Sequence, residues 1–274
     1  MTIWVLTDRR YMRQRMPLSL LDELDRCAIH SAPVVADDIV ADLIGGVDLW
    51  LGLRPGDTVV ARTRHGLGLQ LLREAEARGA RLLMPWDGVM AVRDKPRALA
   101  DLARRGVPVP PTYVAARPAE LAELPRSAFP LVLKPPFGDN ARGILLARTP
   151  DELHEATWDG DLVLAQPYLE VGGVDYKLYV AGDHVWMVRR PSPLLAVVAE
   201  APRPTRAVPP PPRLRSLALT CRDAFRLPLL GVDVLMGASG PVVVDVNDFP
   251  NYTGVDSAPG AIVDVLRAWP GLAA

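Results

Sequence analysis

The 274-residue sequence predicts an α/β (α+β) protein that begins with a small α/β region and continues into strand-rich segments. Within the first 90 residues, short apolar strands alternate with segments of helical apolar spacing. From Phe129 onward the predicted strands follow one another closely, with turn signals such as Gly182-Asp183 between them. A change from alternating elements to packed strands indicates more than one structural unit.

Each element rests on apolar periodicity bounded by turn or capping residues. The predicted strands are 3–6, 57–62, 81–84, 131–134, 143–147, 162–165, 176–180, 184–189, 230–235 and 242–247. The predicted helices are 18–26, 68–78, 97–105 and 213–226, and residues 34–40 are apolar but of undecided type. Prolines at 201–213 predict a loop, either a plain connector or a substrate-facing flap that carries Arg203 and Arg206.

Composition narrows the class of protein. Hydrophobic content of 49%, charged content of 23% and a net charge of −1 describe a globular protein and argue against non-specific nucleic-acid binding. Cys27 and Cys221 are far apart and lack metal-ligand spacing, which favours two unpaired thiols. We find no signal peptide and no apolar run of membrane-span length, so the cytoplasm is the expected location.

Residues 241–254 form the most informative stretch of the chain. Asp245 and Asn247 lie two residues apart in a valine-rich strand and therefore point to one face. Asp233 occupies a strand-like position 12 residues before Asp245, which fits an antiparallel hairpin that turns at Gly237–Gly240. Hard oxygen ligands of this kind suit Mg²⁺. The alternative is an ordinary hairpin whose acidic residues cap strand ends.

Two lysines suggest phosphate binding. Lys134 ends a strand and precedes a loop bracketed by Gly138 and Gly143, where backbone N–H groups could cradle phosphate oxygens. Lys95 stands just before a predicted helix. Either lysine, taken alone, is more typical of a solvated surface charge.

Two further segments could complete a nucleotide site. Residues 162–170 form an apolar strand interrupted by Pro167, and the backbone polar groups freed there can pair with an adenine edge. Asp175, Lys177 and Tyr179 share one face of the next strand, and Arg190 ends the strand after it, where it could face a transferring phosphoryl group.

These motifs, in this order, resemble the ATP-grasp superfamily from about Arg62 to the C-terminus. Val92-Arg93-Asp94-Lys95 through Pro110-Pro111-Thr112 resembles a segment of α-L-glutamate ligases. Residues 172–183 and 245–252 resemble inositol tris/tetrakisphosphate kinases. The resemblance implies an ATP-grasp fold with an N-terminal domain at 1–90 and two α+β lobes, 91–165 and 166–274, that clasp ATP.

The resemblance also implies roles for individual residues. Nucleotide-binding roles fall to Lys95, Lys134, Gly138, Asn140, Gly143, Gln166, Tyr168, Leu169 and Asp175. Asp233, Asp245 and Asn247 would hold Mg²⁺, for which Mn²⁺ could substitute. Arg190 would stabilise the transferred phosphoryl group, and Lys177 would help place that group or the acceptor.

Two reactions compete on this scaffold. In a carboxylate–amine ligase, a carboxylate attacks ATP to give an acylphosphate, and an amine then displaces phosphate. In a kinase a hydroxyl is the acceptor. Asp175 and the slightly acidic composition favour the ligase, with ATP and a small-molecule or peptide acceptor as partners and no nucleic acid or membrane. A homo-oligomer is compatible with this interpretation, and a non-catalytic ATP-binding module is the least favoured alternative.

Overall fold

The computed structural model describes residues 1–42, 44, 52–137, 143–192 and 206–269. Within these residues the chain forms three four-stranded sheets. The predicted mixed α/β fold class is therefore confirmed. The described helices include none that is both long and apolar enough to cross a membrane.

The N-terminal sheet is parallel, in the order β2-β1-β3-β4. Its strands are β1 (Ile3–Thr7), β2 (Ser31–Val35), β3 (Thr58–Arg62) and β4 (Arg81–Leu82). Parallel neighbours need crossovers, which are supplied by helices α1 (Arg15–Arg26) and α2 (Gly66–Ala77). Residues that follow the carboxyl ends of β1 and β3 consequently meet at one edge of the sheet.

Helices α3 (Trp86–Arg93) and α4 (Lys95–Arg104) come next and contact strand β12 (Gly240–Asp248). Their buried residues belong to the same hydrophobic core as the N-terminal and C-terminal sheets. Asp94 separates the two helices, and its side chain caps α4 by accepting a hydrogen bond from Arg97 N at 3.0 Å. This cap places Lys95 in the first turn of α4.

The central sheet is antiparallel, in the order β5-β8-β6-β7. Its strands are β5 (Tyr113–Ala115), β6 (Leu131–Lys134), β7 (Leu145–Ala147) and β8 (Val163–Pro167), and helix α5 (Pro150–Glu155) follows β7. One face of this sheet is covered by a second, smaller hydrophobic core. Val132 and Gln166 point to the other face, which borders a cavity of about 600 Å³ that is described below.

The C-terminal sheet is antiparallel, in the order β10-β9-β11-β12. Strands β9 (Val174–Ala181) and β10 (His184–Pro191) pair across the predicted Gly182-Asp183 turn. Strands β11 (Leu229–Gly237) and β12 form the predicted Gly237–Gly240 hairpin, with a register shift after Asp233. Helices α6 (Pro212–Phe225) and α7 (Ala258–Ala268) contact β9.

Several sequence-based expectations need correction. The predicted 201–213 loop ends earlier than expected because Pro212 begins α6, where a proline loses no helical hydrogen bond. Arg203 lies outside the described residues, whereas Val208 forms a two-way backbone bridge with Met187. Helices α3, α5 and α7 and strand β5 were not predicted, and the undecided segment 34–40 begins within β2. The predicted domain limits stay a prediction, although Val92 to Val107 contribute to the larger core.

Gly88 offers a test of the α3 packing. A Cβ atom at this position would overlap the carbonyl oxygen of Phe225 and lie 3.0 Å from Leu227 Cδ2. We expect Gly88→Ala to lower the free energy of unfolding by about 1–3 kcal/mol, measured by urea denaturation. Gly66→Ala is the matched control, because nothing lies within 4 Å of its added Cβ. Equal stability of the two variants would contradict this packing.

Candidate active site

One face of the C-terminal sheet carries the charged residues singled out in the sequence. Lys177 on β9 is paired in register with Asp233 on β11, and Asp233 is paired with Asp245 on β12. Cross-strand partners project to the same face, and Asn247, two residues further along β12, does so too. Arg190 on β10 is paired with Asp175. The antiparallel register therefore assembles residues separated by up to 72 positions (247 − 175).

Asp233 is the centre of this face. Its buried carboxylate accepts hydrogen bonds from Lys177 Nζ at 2.8 Å, Arg190 Nη2 at 2.5 Å and Asn247 Nδ2 at 3.1 Å. Burial opposes ionisation, but the charges of Lys177 and Arg190 outweigh it and hold the pKa of Asp233 below its usual value. Asp233 is thus an anion held between two cations.

Lys95 and Asp245 form the neighbouring ion pair. Lys95 Nζ lies 3.0 and 2.9 Å from the two oxygens of the Asp245 carboxylate. The backbone N–H of Lys95 donates to Pro136 O at 3.2 Å, which ties α4 to the segment after Lys134. The two lysines predicted to bind phosphate therefore lie on connected elements.

Lys134 ends β6 and donates from Nζ to Gln166 Oε1 at 2.8 Å, while Gln166 Nε2 donates to Thr112 Oγ1 at 3.1 Å. Burial lowers the pKa of Lys134, with Asp245 opposing and Lys95 assisting this shift. Tyr168 and Leu169 continue from β8 along the same cavity. The end of the cavity near β6 and β8 thus presents the Lys134 cation beside backbone and amide groups, as a nucleotide site requires.

The glycine-bracketed loop is described only at its end. Gly143 adopts φ +71°, and a Cβ there would lie 3.0 Å from Pro135 Cγ, so both conformation and space favour glycine. The predicted residues Gly138 and Asn140 lie outside the described residues.

Asp175 is a buried carboxylate on the cavity wall. Ser192 hydrogen-bonds to it, whereas its Oδ1 atom has no hydrogen-bond partner among the described residues. Burial raises the pKa of Asp175, although Ser192 and Arg190 lower it in part. Asp175 therefore combines an unsatisfied buried oxygen with a place on the cavity wall.

Most of these side chains line one cavity of about 600 Å³, whereas the predicted residue Gly143 is not part of its lining. The predicted residues that line it are Lys95, Lys134, Gln166, Tyr168, Leu169, Asp175, Lys177, Arg190, Asp233, Asp245 and Asn247. A wall that the sequence did not predict comes from the N-terminal sheet, with Tyr11, Gln14, Arg62, Thr63 and Arg64. Asp248 also lines the cavity but was not predicted as a site residue, because its position directly after the Asp245-x-Asn247 motif suggests no role of its own.

The polar atoms present suit magnesium. Asp233, Asp245 and Asn247 offer oxygens on one face, surrounded by cations that would neutralise nucleotide phosphates. In the described part of the chain, no cluster of three or more His, Cys, Asp and Glu side chains forms a metal site by itself. Mg²⁺ commonly takes one or two protein carboxylates and completes its shell with substrate phosphates and water, and Asp233 and Asp245 supply two carboxylates on this face.

Comparison with known proteins identifies the family. The RimK-like ATP-grasp domain matches residues 92–192, a range that contains Lys95, Lys134, Lys177 and Arg190. The probable alpha-L-glutamate ligase 2 of Shewanella sp. (strain MR-4) is 30% identical over 243 residues, which cover 82% of this chain and 80% of that protein. The chain belongs to the RimK-like ATP-grasp family.

Solved structures share the fold of this RimK-like protein over nearly its whole length. D-cycloserine synthetase DcsG is 21% identical with a TM-score of 0.74, and the match covers 98% of this chain and 99% of that chain. The ATP-grasp ligase PsnB, complexed with a phosphomimetic variant of its minimal precursor, Mg and ADP, is 18% identical with a TM-score of 0.71. That match covers 97% of each chain.

The expected reaction class is therefore confirmed. This RimK-like protein is an ATP-dependent, ADP-forming ligase that joins a carboxylate to an amine, and the kinase alternative is not favoured. The roles of the individual site residues stay predictions.

Gly231 tests whether Lys177 must be placed accurately. A Cβ at Gly231 would lie 2.8 Å from Lys177 Cε and 3.2 Å from Pro250 Cβ. We expect Gly231→Ala to displace Lys177 and lower kcat by roughly 10-fold or more, since misplacing a reacting group is costly. Gly237→Ala on the same strand, with contacts of 3.6 Å and longer, is the control. Unchanged ATP turnover in Gly231→Ala would contradict a role for Lys177.

Lys134 tests the cost of burying a charge. Because its pKa is lowered by burial, the charge of this amine destabilises the fold at neutral pH, and this destabilisation diminishes as the pH rises from the folded pKa towards the ordinary value of 10.5, above which it is absent. We expect Lys134→Met to raise the unfolding free energy by about 1 kcal/mol at pH 7 and to weaken ATP binding. Urea denaturation and calorimetric titration with ATP measure the two effects. A destabilised variant with normal ATP affinity would refute both roles.

Proposed function

We propose that the cavity is a Mg·ATP site in which a substrate carboxylate is activated as an acylphosphate and then joined to an amine. The observation that carries this proposal is the charged sheet face. There Lys177 and Arg190 contact Asp233, and Lys95 contacts Asp245. When ATP and magnesium bind, these cations can contact phosphate and these carboxylates can contact the metal. No buried charge is then left without a partner of opposite sign.

In this proposal the cavity has a nucleotide end. Lys95 and Lys134 bind ATP phosphates, and the proposal keeps Gly138, Asn140 and Gly143 as further nucleotide-binding residues, of which only Gly143 belongs to the described residues. Gln166, Tyr168 and Leu169 border the adenine, while Asp175, which lines the same cavity, lies near the ribose or the substrate. Gln166 also orients Lys134 through their 2.8 Å hydrogen bond.

The reaction would take place at the sheet face. Asp233, Asp245 and Asn247 would hold magnesium, which would neutralise negative charge on the ATP phosphates. Arg190 is about one-third exposed (33%) and can reach a phosphoryl oxygen while still contacting Asp233. Lys177, buried against Gly231 and Asp233, would orient the transferred group or the carboxylate. Displacement of phosphate by the amine then forms the amide.

The acceptor class and setting belong to the same proposal. We infer a small-molecule or peptide substrate, since the similar proteins include a probable glutamate ligase and a ligase complexed with a precursor peptide. Mn²⁺ would substitute for Mg²⁺, because the ligands are oxygen atoms. We also infer a cytoplasmic enzyme that does not act on nucleic acid, and a homo-oligomer is compatible with the proposal.

Substitution of the predicted metal ligands tests the site. We expect Asp245→Asn and Asn247→Ala each to reduce Mg-dependent ADP formation by on the order of a hundredfold or more, because phosphate charge loses its neutralisation. ADP release from ATP, Mg²⁺ and pooled amino acids measures this effect. Asp264→Asn on the surface of α7 is the control. Activity near wild type in either metal-ligand variant would refute the metal assignment.

The products test the reaction itself. A ligase releases free phosphate in step with a new amide, detected by mass spectrometry. A phosphorylated product that accumulates without free phosphate would refute the proposal.

A further inference from the structure

Arg64 occupies a fixed position at the edge of the cavity. It follows β3, and its backbone N–H donates to Asp8 Oδ2 at 2.7 Å, while Thr63 Oγ1 donates to the other oxygen of Asp8. Asp8 is buried, so these two hydrogen bonds attach the segment after β3 to the interior of the protein. The Arg64 side chain extends towards the end of β12, where Nη2 lies 3.5 Å from Asn247 Oδ1.

A buried carboxylate holds the Arg64 guanidinium in place. Asp248 Oδ2 accepts a hydrogen bond from Arg93 Nη2 at 2.7 Å. Asp248 Oδ1 has no hydrogen-bond partner within the described ranges and lies 3.6 Å from Arg64 Nη2. Asp248 is buried, and both Arg93 and Arg64 place a guanidinium nitrogen within 4 Å of its carboxylate. Asp248 therefore pairs directly with Arg93 and lies at the longer distance of 3.6 Å from Arg64.

Arg62 does not compete for this position, although it lies only two residues away. Its guanidinium donates to Phe249 O at 3.2 Å and to Gln14 Oε1 at 3.0 Å, and it packs over the Tyr11 ring. Arg62 is therefore a buried structural group. Both arginines line the cavity, but Arg62 is buried, whereas 21% of the Arg64 side chain is exposed.

The surrounding wall is polar and suits an anion. We call it the acceptor end, formed by Tyr11, Gln14, Thr63, Arg64, Asn247, Asp248, Asn251 and Thr253. Among these residues the only carboxylate is that of Asp248, which is already paired with Arg93. Asn247 lies where the acceptor end meets Asp233. Its Oδ1 atom accepts from Arg64 Nη2 at 3.5 Å, and its Nδ2 atom donates to Asp233.

We propose that Arg64 determines substrate specificity by holding the carboxylate of the acceptor substrate beside Asn247. A guanidinium presents two parallel N–H donors that match a carboxylate, and its position next to a predicted metal ligand brings that carboxylate close to the phosphoryl donor. Asp248 and Arg93 are positioning residues for Arg64. The proposal rests on the ligase function proposed above, and it adds which residue selects the anionic substrate.

Binding of a minimal carboxylate tests this proposal without turnover. The probe is trifluoroacetate, followed by ¹⁹F line broadening on protein saturated with Mg·ADP, which covers the nucleotide end. We expect saturable broadening with wild type, at least about 10-fold weaker binding with Arg64→Gln, and an intermediate effect with Arg64→Lys, whose ammonium keeps the charge but not the planar pair of donors. Neutral trifluoroacetamide should not compete.

The control variant is Arg104→Gln, which removes an exposed arginine of α4 and should bind trifluoroacetate as wild type does. Thermal melting verifies that the variants fold. Trifluoroacetate binding that is unchanged in Arg64→Gln, or absent in wild type, overturns the proposal. The ligase function is judged separately by ADP and amide formation in wild type, so the two proposals can fail independently.

Discussion

The structure of the cavity depends on the ion pairs that the Asp233 carboxylate forms with Lys177 and Arg190. An unpaired buried carboxylate would cost several kcal/mol, so this residue requires Lys177 and Arg190 at its oxygens. Those two residues come from β9 and β10, whereas Asp233 lies on β11. The requirement thereby ties three strands into one register. A one-residue slip would turn these charges into the hydrophobic core on the other face.

Space at this face is as important as charge. Lys177 can lie flat against β11 only because Gly231 has no side chain, and Pro250 closes the same gap. Tyr179 follows two residues later on the same face and lines the cavity. The opposite face of β9 carries Leu178 and Val180, which are fully buried. Because side chains alternate between the two faces of a strand, β9 places its cavity residues on one face and its core residues on the other.

The segment after β12 joins the charged face to the N-terminal sheet. Phe249 and Tyr252 adopt φ of +28° and +49°, which is unfavourable for residues with bulky side chains. Tyr252 offsets this strain because its ring is fully buried beside Tyr179, and its hydroxyl donates to Val180 O at 2.5 Å. Arg15 donates to Tyr252 O at 2.7 Å from α1. The backbone between these anchors carries Asn251 to the acceptor end.

The sequence alone determined the local elements and the order of the chemical motifs. Valine-rich strands and glycine turns marked the hairpin of Asp233 and Asp245, because strand periodicity and turn chemistry are local properties. Helix α3 escaped prediction because Gly88 weakens its helical pattern, and only contact with Phe225 and Leu227 explains that glycine.

Tertiary structure alone decided which charges meet. The contacts of Lys95 with Asp245 and of Arg64 with Asn247 join residues more than 100 positions apart (245 − 95 and 247 − 64), and no local pattern specifies such pairs. Asp248 looked like a spacer until its burial against Arg93 showed it to be an anchor. The sequence thus determined the kind of chemistry, whereas the contacts between the segment after β3 and the end of β12 decided the shape and charge of the acceptor end.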